Sequence, residues 1–483
     1  MRKIKLVLVL LSLVMVLSIL PLPATAQSAV NCGHNRDIET LLNQVTENGV
    51  AKWIRDLSGE NTVPIDGKEY RILTRFTSEL FNPSNQNAKA YPYLTQELIK
   101  LGYVPGSTLI DHEYAFNKYV PKNLDPTITA PAPIDIEMVS AKNLVLTIPG
   151  RGPNANQQVL MTAHLDSTTN YDGDPREVAP GAEDNASGVA ALMEAADLFR
   201  YYKFDRTIKM IFFTGEEQGL HGSTAYVEDF ASEMSNIQGV VNLDMFGYDS
   251  DKDMCMELHV GKLSASNTVG TCFTNVINNY NLGVKVDYLI NEAVRASDHA
   301  PFWDAGVGAV EILENHDEHS TSYGCKGVKD SNPHYHKRSD TIDKMYMPAT
   351  HRITQTGVGT VASMAGMMGK CFNGDPRLTA TPQQESISLT WTALEGAEVY
   401  RIYRGTRTCN GEMTLLAEVT SNSYIDSDIK LDQPYFYKVQ AVEPDGGCIS
   451  QMSNCAVATV PKPQEPPVYD FFQYLPLTLT AEG

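Results

Sequence analysis

His164 and Asp166 close an apolar run, and Asp184 closes the acidic, Gly/Pro-rich loop that follows. A helix-forming run, ASGVAALMEAADLF, starts directly after Asp184-Asn185. Glu216-Glu217 follow the apolar run TIKMIFFTG, and Asp244 follows VVNL. Asp298-His299 sit in ASDHAPFW, and His336 lies in PHYHKRSDT. Carboxylates gathered at one edge repel each other, and apolar surroundings raise their pKa values. A bound dication is the simplest means of keeping several of them ionised. Imidazole nitrogen combined with carboxylate oxygen suits zinc. Taken singly, each residue has a plainer reading. A lone acid after a strand caps a helix or faces solvent. An acidic doublet is surface charge, and a single histidine such as His259 or His351 is structural. What points to a metal centre is the recurrence, in order, at the ends of apolar runs.

The elements that must position these residues are legible as patterns. Apolar, β-rich runs recur at 143–148, 158–163, 207–213, 237–243, 284–290 and 307–313. Helical periodicity lies between them at 186–200, 219–233 and 263–280, and again at 346–369. Residues 35–58 and 86–101 read as amphipathic helices. This alternation implies an α/β fold, a mixed, mostly parallel sheet covered by helices on both faces, over residues 27–374. In such sheets ligands sit where strands end and loops begin. Pocket shape then depends on the loops around 245–260 and 315–335.

After Asp375-Pro376 helical periodicity stops. Short alternating segments (SISLTW, EVYRIYRG, TLLAEV, PYFYKVQAV) predict an all-β sandwich over 375–462. It resembles a fibronectin type III domain in its pattern, with Trp391, Tyr400, Tyr403, Tyr435 and Tyr437 at strand positions. It offers no clustered acids or nucleophile pair, so a binding or spacer module acting toward a surface or polymer is expected. Residues 463–483 form a Pro-rich linker and tail.

Residues 1–26 read as a signal peptide. Arg2, Lys3 and Lys5 precede the apolar stretch Leu6 to Leu20, and Ala24-Thr25-Ala26 supplies a small-x-small cleavage site. No later run is long enough to span a bilayer. The mature chain is expected to be secreted and extracellular. The net charge of -20 excludes nucleic acid or anionic lipid as a partner recruited by the global field. The even count of 8 cysteines suggests disulfides in a secreted chain. Proximity along the chain favours Cys255–Cys272 and a pairing among Cys409, Cys448 and Cys455. Cys32–Cys371 would close the large domain.

Six motifs occur in order: AHLDS (163–167), GAEDNASGVAALMEAA (181–196), FFTGEEQGLHGS (212–223), VVNLDMFGY (240–248), SDHAPFWDAGVGAVEILE (297–314) and HKRSDTIDKM (336–345). With RFTSELFNPSNQNAKAYPYLTQELIKLGY upstream (75–103), they cover roughly 75–372. In these motifs the chain resembles the secreted co-catalytic zinc aminopeptidases of peptidase family M28. The resemblance implies a zinc-exopeptidase fold and two Zn²⁺ per chain. His164 and Asp244 would bind one ion, Glu217 and His336 the other, and Asp184 would bridge them. Asp166 would orient His164 through its second ring nitrogen. Glu216 would be the general base, and the Asp184–Asn185 peptide bond would be cis. The substrates would be peptides with a free N-terminus, hydrolysed at their first peptide bond by a water that the two ions activate. Lys337-Arg338 depart from the small polar residues usual after the last histidine, which touches the pocket rim rather than the ligand. His316, His319 and His334 are alternative ligands, but only His336 keeps the spacing to Asp340-Thr341. Asp298 and His299 are expected to fix the pocket, and Arg295 to reach a substrate carbonyl or product carboxylate. Carboxypeptidases and glutaminyl cyclases share the fold. A carboxypeptidase needs a basic clamp that the pocket motifs lack, and the cyclases use a single zinc. A non-catalytic relative would have lost ligands that are all retained here.

Overall fold

The six apolar runs, joined by two strands that the pattern hid, assemble into one eight-stranded sheet. The computed structural model describes residues 30–121, 134–316, 325, 329–411, 413–443 and 447–464. The expected signal peptide, His319 and the tail from 465 onward lie outside the described residues. In chain order the strands are β1 (Leu109–Pro121), β2 (Ile134–Ile148), β3 (Gln158–His164) and β4 (Thr207–Phe213). They continue with β5 (Ile237–Leu243), β6 (Cys255–His259), β7 (Lys285–Leu289) and β8 (Ala309–Glu314). The spatial order is β7-β6-β8-β5-β3-β4-β2-β1. β3 runs parallel to β4 and β5, β5 to β8, and β6 to β7. β1 with β2, β2 with β4, and β6 with β8 are antiparallel, so the sheet is mixed. The ends of β3, β4, β5 and β8 thus come to one edge.

The helices are α1 (Arg36–Leu42), α2 (Glu47–Leu57), α3 (Ala90–Lys100) and α4 (Ala186–Phe199). They are followed by α5 (His221–Asp229), α6 (Ser264–Asn279), α7 (His299–Asp304) and α8 (Met347–Met364). The strands bury both faces because alternate residues serve two cores. Met161, Ala163, Phe212, Leu243 and Ile312 pack with α1, α2, α4, α6 and α8. Leu160, Phe213 and Val240 pack on the opposite face with Tyr226 of α5 and Phe302 of α7. The 35–58 pattern breaks into α1 and α2, because Thr46 accepts from Gly49 N (3.0 Å) and starts a new helix. The 346–369 pattern ends early: α8 stops at Met364, and Met367–Lys370 pairs antiparallel with Tyr202–Phe204.

α4 is buried almost throughout, and its N-terminus is fixed tightly against the sheet. Asn185 caps it, accepting from Gly188 N (2.8 Å) and donating to Leu243 O (2.9 Å). A Cβ on Gly188 would lie 2.5 Å from Leu243 O, so only glycine lets the helix approach β5 this closely. Further along α4, Glu194 faces α2 and accepts from Trp53 Nε1 (3.2 Å). Burial, with Asp197 adding to it, pushes its carboxyl up to about 7. A raised carboxyl pKa means that the folded state holds a proton which the unfolded chain releases. Its stabilising contribution is therefore present at acid pH and is lost between the ordinary carboxylate range and about pH 7. Glu194→Gln is expected to raise stability by roughly 1–3 kcal/mol above pH 7 and to change little at pH 4, read by denaturant melts at both pH values.

The C-terminal part forms two antiparallel sheets. Their strands are β9 (Leu378–Pro382), β10 (Ile387–Trp391), β11 (Val399–Gly405), β12 (Thr414–Val419), β13 (Ser423–Asp426), β14 (Pro434–Val442) and β15 (Ala456–Thr459). One sheet has the order β9-β10-β13 and the other β12-β11-β14-β15. Trp391, Leu389, Tyr400, Ile402 and Tyr437 share a separate core between them. This part docks on the end of α4. Ile449 N donates to Arg200 O (3.0 Å), and Glu443 pairs with Lys203 (2.7 Å) and Arg151 (3.3 Å).

The disulfides are Cys32–Cys272, Cys255–Cys325, Cys371–Cys448 and Cys409–Cys455. The expected Cys255–Cys272 and Cys32–Cys371 bonds do not form. Cys272 lies on α6, whose packing brings it to the N-terminal segment, and Cys255 opens β6 beside residue 325. Of the three C-terminal cysteines, Cys409 and Cys455 pair. Cys448 instead ties the β-sheets to Cys371, across the composition boundary.

Candidate metal centre

Each candidate ligand is placed by a strand end or by a loop that crosses it. His164 is the last residue of β3, and Glu216-Glu217 and Asp244 follow β4 and β5. Asp184 precedes the capped start of α4, and the Asp184–Asn185 bond is cis, as the motif resemblance implied. The two carboxylate oxygens of Asp184 face two different histidines. Oδ1 lies 3.3 Å from His164 Nε2, and Oδ2 lies 3.2 Å from His336 Nε2. Each histidine nitrogen faces one further carboxylate: His164 faces Asp244 Oδ1 at 3.0 Å, and His336 faces Glu217 Oε2 at 3.1 Å. The set therefore divides into two half-sites that share Asp184. Glu217 Oε1 and His336 Nδ1 are buried without a hydrogen-bond partner, so the cluster is not closed on itself. Nitrogen and carboxylate oxygen converging on shared points is a donor set that fits zinc. A second acidic group, Asp249, Asp251 and Asp330, is instead engaged by backbone N–H groups of residues 250, 253 and 254.

These residues open onto a cavity of about 560 Å³. Glu216 and Glu311 line it, as do Met245, Leu313, His316 and Tyr335. The alternative histidine ligands are held elsewhere. His316 Nδ1 lies 3.2 Å from Glu314 Oε1, and His334 Nδ1 lies 2.9 Å from Ser339 Oγ. Arg295 reaches the rim, but its guanidinium is held in a two-bond pair with Asp304 (2.7 Å each).

Comparison with known proteins agrees with this geometry. Residues 143–361 match the family described as peptidase family M28. The chain carries a peptidase family M28 domain and is a hydrolase. A probable zinc metalloprotease of Pyrenophora tritici-repentis is 25% identical over 72% of this chain and 76% of its own. Aminopeptidase YwaD of Bacillus subtilis is 30% identical over 41% of this chain and 38% of its own. Among solved structures, the aminopeptidase from Aneurinibacillus sp. strain AM-1 superposes with a TM-score of 0.50. It is 17% identical, over 69% of this chain and 97% of that one, and shows the shared fold.

The M28 domain holds its ligand candidates with groups that the motifs alone did not single out. Asp166 meets the second ring nitrogen of His164 through its backbone carbonyl. His164 Nδ1 lies 3.0 Å from the Asp166 carbonyl, whereas the carboxylate is 3.8 Å away. The carboxylate accepts from Thr77 Oγ1 (2.9 Å) and from the N–H groups of Glu216 and Glu217 (3.3 Å each). Asp166 therefore fixes the turn that aims the glutamate pair. Asp340 does the same for Asp184, accepting from Glu183 N (2.9 Å) and Asp184 N (3.1 Å). Arg75 is fully buried beneath the cluster and donates to the carbonyls of Leu57, Leu165, Pro180 and Gly181. Burial pulls its pKa down to about 10, against the pull of Asp340, Asp184 and Asp166. Arg75 and Thr77 sat unassigned in the quoted RFTSELF stretch. Glu311 was hidden in an apolar strand motif, and nothing in its local pattern marked it.

Protein charges alone leave the M28 site strongly polarised. Burial pushes Asp184 up, yet the hydrogen bonds and charges of His164 and His336 hold it below the usual carboxylate range. Burial pulls His336 down, yet Asp184 and Glu217 carry it up to about 10. Burial holds Glu216 well above the ordinary range and Glu217 at about 7. Asp298, fully buried behind them, is pushed up to about 7 by the same desolvation. His299 Nε2 donates to the carbonyl of Val294 (3.0 Å), a residue of the cavity wall.

Proposed function

We propose that this chain is a secreted aminopeptidase that hydrolyses the first peptide bond of substrates with a free N-terminus, using two zinc ions. The observation that carries the reading is the division of Asp184 between His164 and His336, each backed by its own carboxylate. His164, Asp244 and Asp184 would hold one ion; Glu217, His336 and Asp184 would hold the other. When bound, the ions supply a water of lowered pKa and stabilise charge that develops on the scissile carbonyl oxygen. Glu216 lines the cavity and pairs with neither histidine, so it is free to take the proton of the attacking water and pass it to the leaving amine. Asp166 and Thr77 keep the Glu216 turn in place during that transfer. The carboxylates of the cavity favour a substrate ammonium over a substrate carboxylate. Among the described residues that line it, Arg295 is the sole Arg or Lys, and Asp304 neutralises it, which argues against a C-terminal carboxylate clamp. Met245, Leu313 and Tyr335 offer an apolar wall to the first side chain.

Four disulfides support an oxidising destination, and among the described residues no helix is long and apolar enough to cross a membrane. The pairing of the C-terminal strands supports a fibronectin type III-like sandwich over 375–462. No described residue beyond His336 lines the cavity, so this part is read as a spacer or binding module rather than as catalytic machinery. The test is hydrolysis of leucine nitroanilide beside its N-acetyl form. Turnover of the free amine with at least about 100-fold discrimination is expected. Equal rates on both, or release of internal fragments from a peptide, would refute an aminopeptidase.

A further inference from the structure

A second cavity of about 650 Å³ adjoins the metal-site cavity and shares Gly219, Leu220 and Arg295 with it. It runs between α5 and α7. Its walls are mostly apolar, with Val227 and Met234 on one side and Ala300 and Pro301 on the other.

The junction between the two cavities is a built feature. Leu220 adopts a left-handed backbone (φ 59°) that leucine seldom takes, and such conformations persist where the surroundings enforce them. Its N–H bonds to Glu216 O (3.0 Å), so the residue that divides the cavities is tied to the proposed base. The opposite wall is pinned as firmly. Val294 N donates to His259 Nδ1 and His299 Nε2 donates to Val294 O, each at 3.0 Å. His259 Nε2 in turn lies 3.0 Å from Glu257 Oε2, which sets its tautomer, and both histidines are fully buried. Two buried histidines thus hold the peptide of Val294, directly before Arg295.

We propose that this groove binds the part of a peptide that follows the scissile bond, and that it selects extended substrates with apolar side chains there. The proposal rests on the aminopeptidase reading above. The leaving nitrogen must sit within reach of Glu216, so the chain beyond it passes the Glu216–Leu220 segment, which leads into the groove. The first residue's side chain takes the other side of the cavity, against Met245 and Leu313. Asp304 neutralises Arg295 and the remaining charge on the lining is the carboxylate of Glu228, so the groove reads apolar surface rather than a terminal carboxylate.

The test uses the full-length zinc-loaded enzyme with leucine nitroanilide, Leu-Gly, Leu-Gly-Phe-Ala and Leu-Gly-Asp-Ala. A kcat/KM at least about 10-fold higher for the Phe tetrapeptide than for the dipeptide is expected, chiefly through KM, with the Asp tetrapeptide falling back toward the dipeptide. Val227→Glu should lower the ratio of tetrapeptide to nitroanilide rates about 5- to 10-fold. Thr224→Trp, at an exposed position of the groove, should do the same if the first variant folds poorly. Nitroanilide cleavage with no gain from chain length, or with ratios unmoved in both variants, overturns the groove and leaves the aminopeptidase reading standing. Failure to cleave any of the free-amine substrates overturns both.

Discussion

Glu216→Gln is expected to fold and keep its metal while losing about 10²–10⁴-fold in kcat, toward the upper end because one group serves both proton transfers. Glu216 lines the cavity but makes neither of the histidine contacts that define the half-sites. Its loss therefore removes no candidate ligand. Gln keeps the size and can hydrogen-bond a water, but it cannot accept the proton. KM should move little, since the substrate amine and side chain are held elsewhere. Glu217→Gln should behave differently: it weakens the His336 half-site, and excess zinc should partly rescue it. If Glu216→Gln is the variant that loses zinc while Glu217→Gln shows a pure kcat defect, the two roles are exchanged. Steady-state kinetics beside metal analysis of both variants decides this.

Asp184→Asn is expected to cost at least about 10³-fold in kcat/KM and to lower zinc content at both half-sites together. Changing a group that only supports a ligand typically costs about 10–100-fold, and a shared ligand must exceed that. The metal-free protein should also suffer. Burial disfavours the Asp184 anion, but His164 and His336 more than offset this and hold its pKa below the ordinary range. A depressed carboxylate pKa contributes stability that is present above the unfolded value and is lost as pH falls through the folded one. Asp184→Asn leaves the buried His164 and the partly buried His336 without that partner. Removing one member of a buried charged set typically destabilises by about 3–5 kcal/mol. Melting of the metal-free variant at pH 7 should show this loss, and the gap from the parent chain should close in strong acid. A variant that keeps full zinc and activity would place the centre elsewhere.

His164, Glu217 and Asp244 were legible because each closes or follows an apolar run, and the parallel strands bring those run ends to one edge; Asp184 and His336 lie in loops and were legible from the motifs around them. The groups that hold them were not, since their evidence is distance in space. Arg75 is buried only because four carbonyls from three separate segments converge on it. Asp166 sits two residues from His164, and the motif resemblance implied that it orients the ring without saying through which atom. The chain turns so that its carbonyl meets the ring and its carboxylate meets the next strand's loop. β6 was missed because Glu257 and His259 interrupt its apolar pattern, yet both are buried and bonded to each other. β1 was missed because it is an edge strand with alternating polar residues, ordered by its long antiparallel pairing with β2. Two of the expected disulfides, Cys255–Cys272 and Cys32–Cys371, failed for a related reason. Closeness along the chain cannot foresee that α6 carries Cys272 to Cys32, 240 residues away in sequence.

If two zinc ions are held by a set that shares Asp184 and both act on one substrate, both should be needed for full turnover. The most direct test is a zinc titration of the metal-stripped full-length protein, reading leucine nitroanilide hydrolysis at each addition. Activity should continue to rise until two equivalents per chain are bound. Activity complete at one equivalent, or independent of zinc, would contradict it.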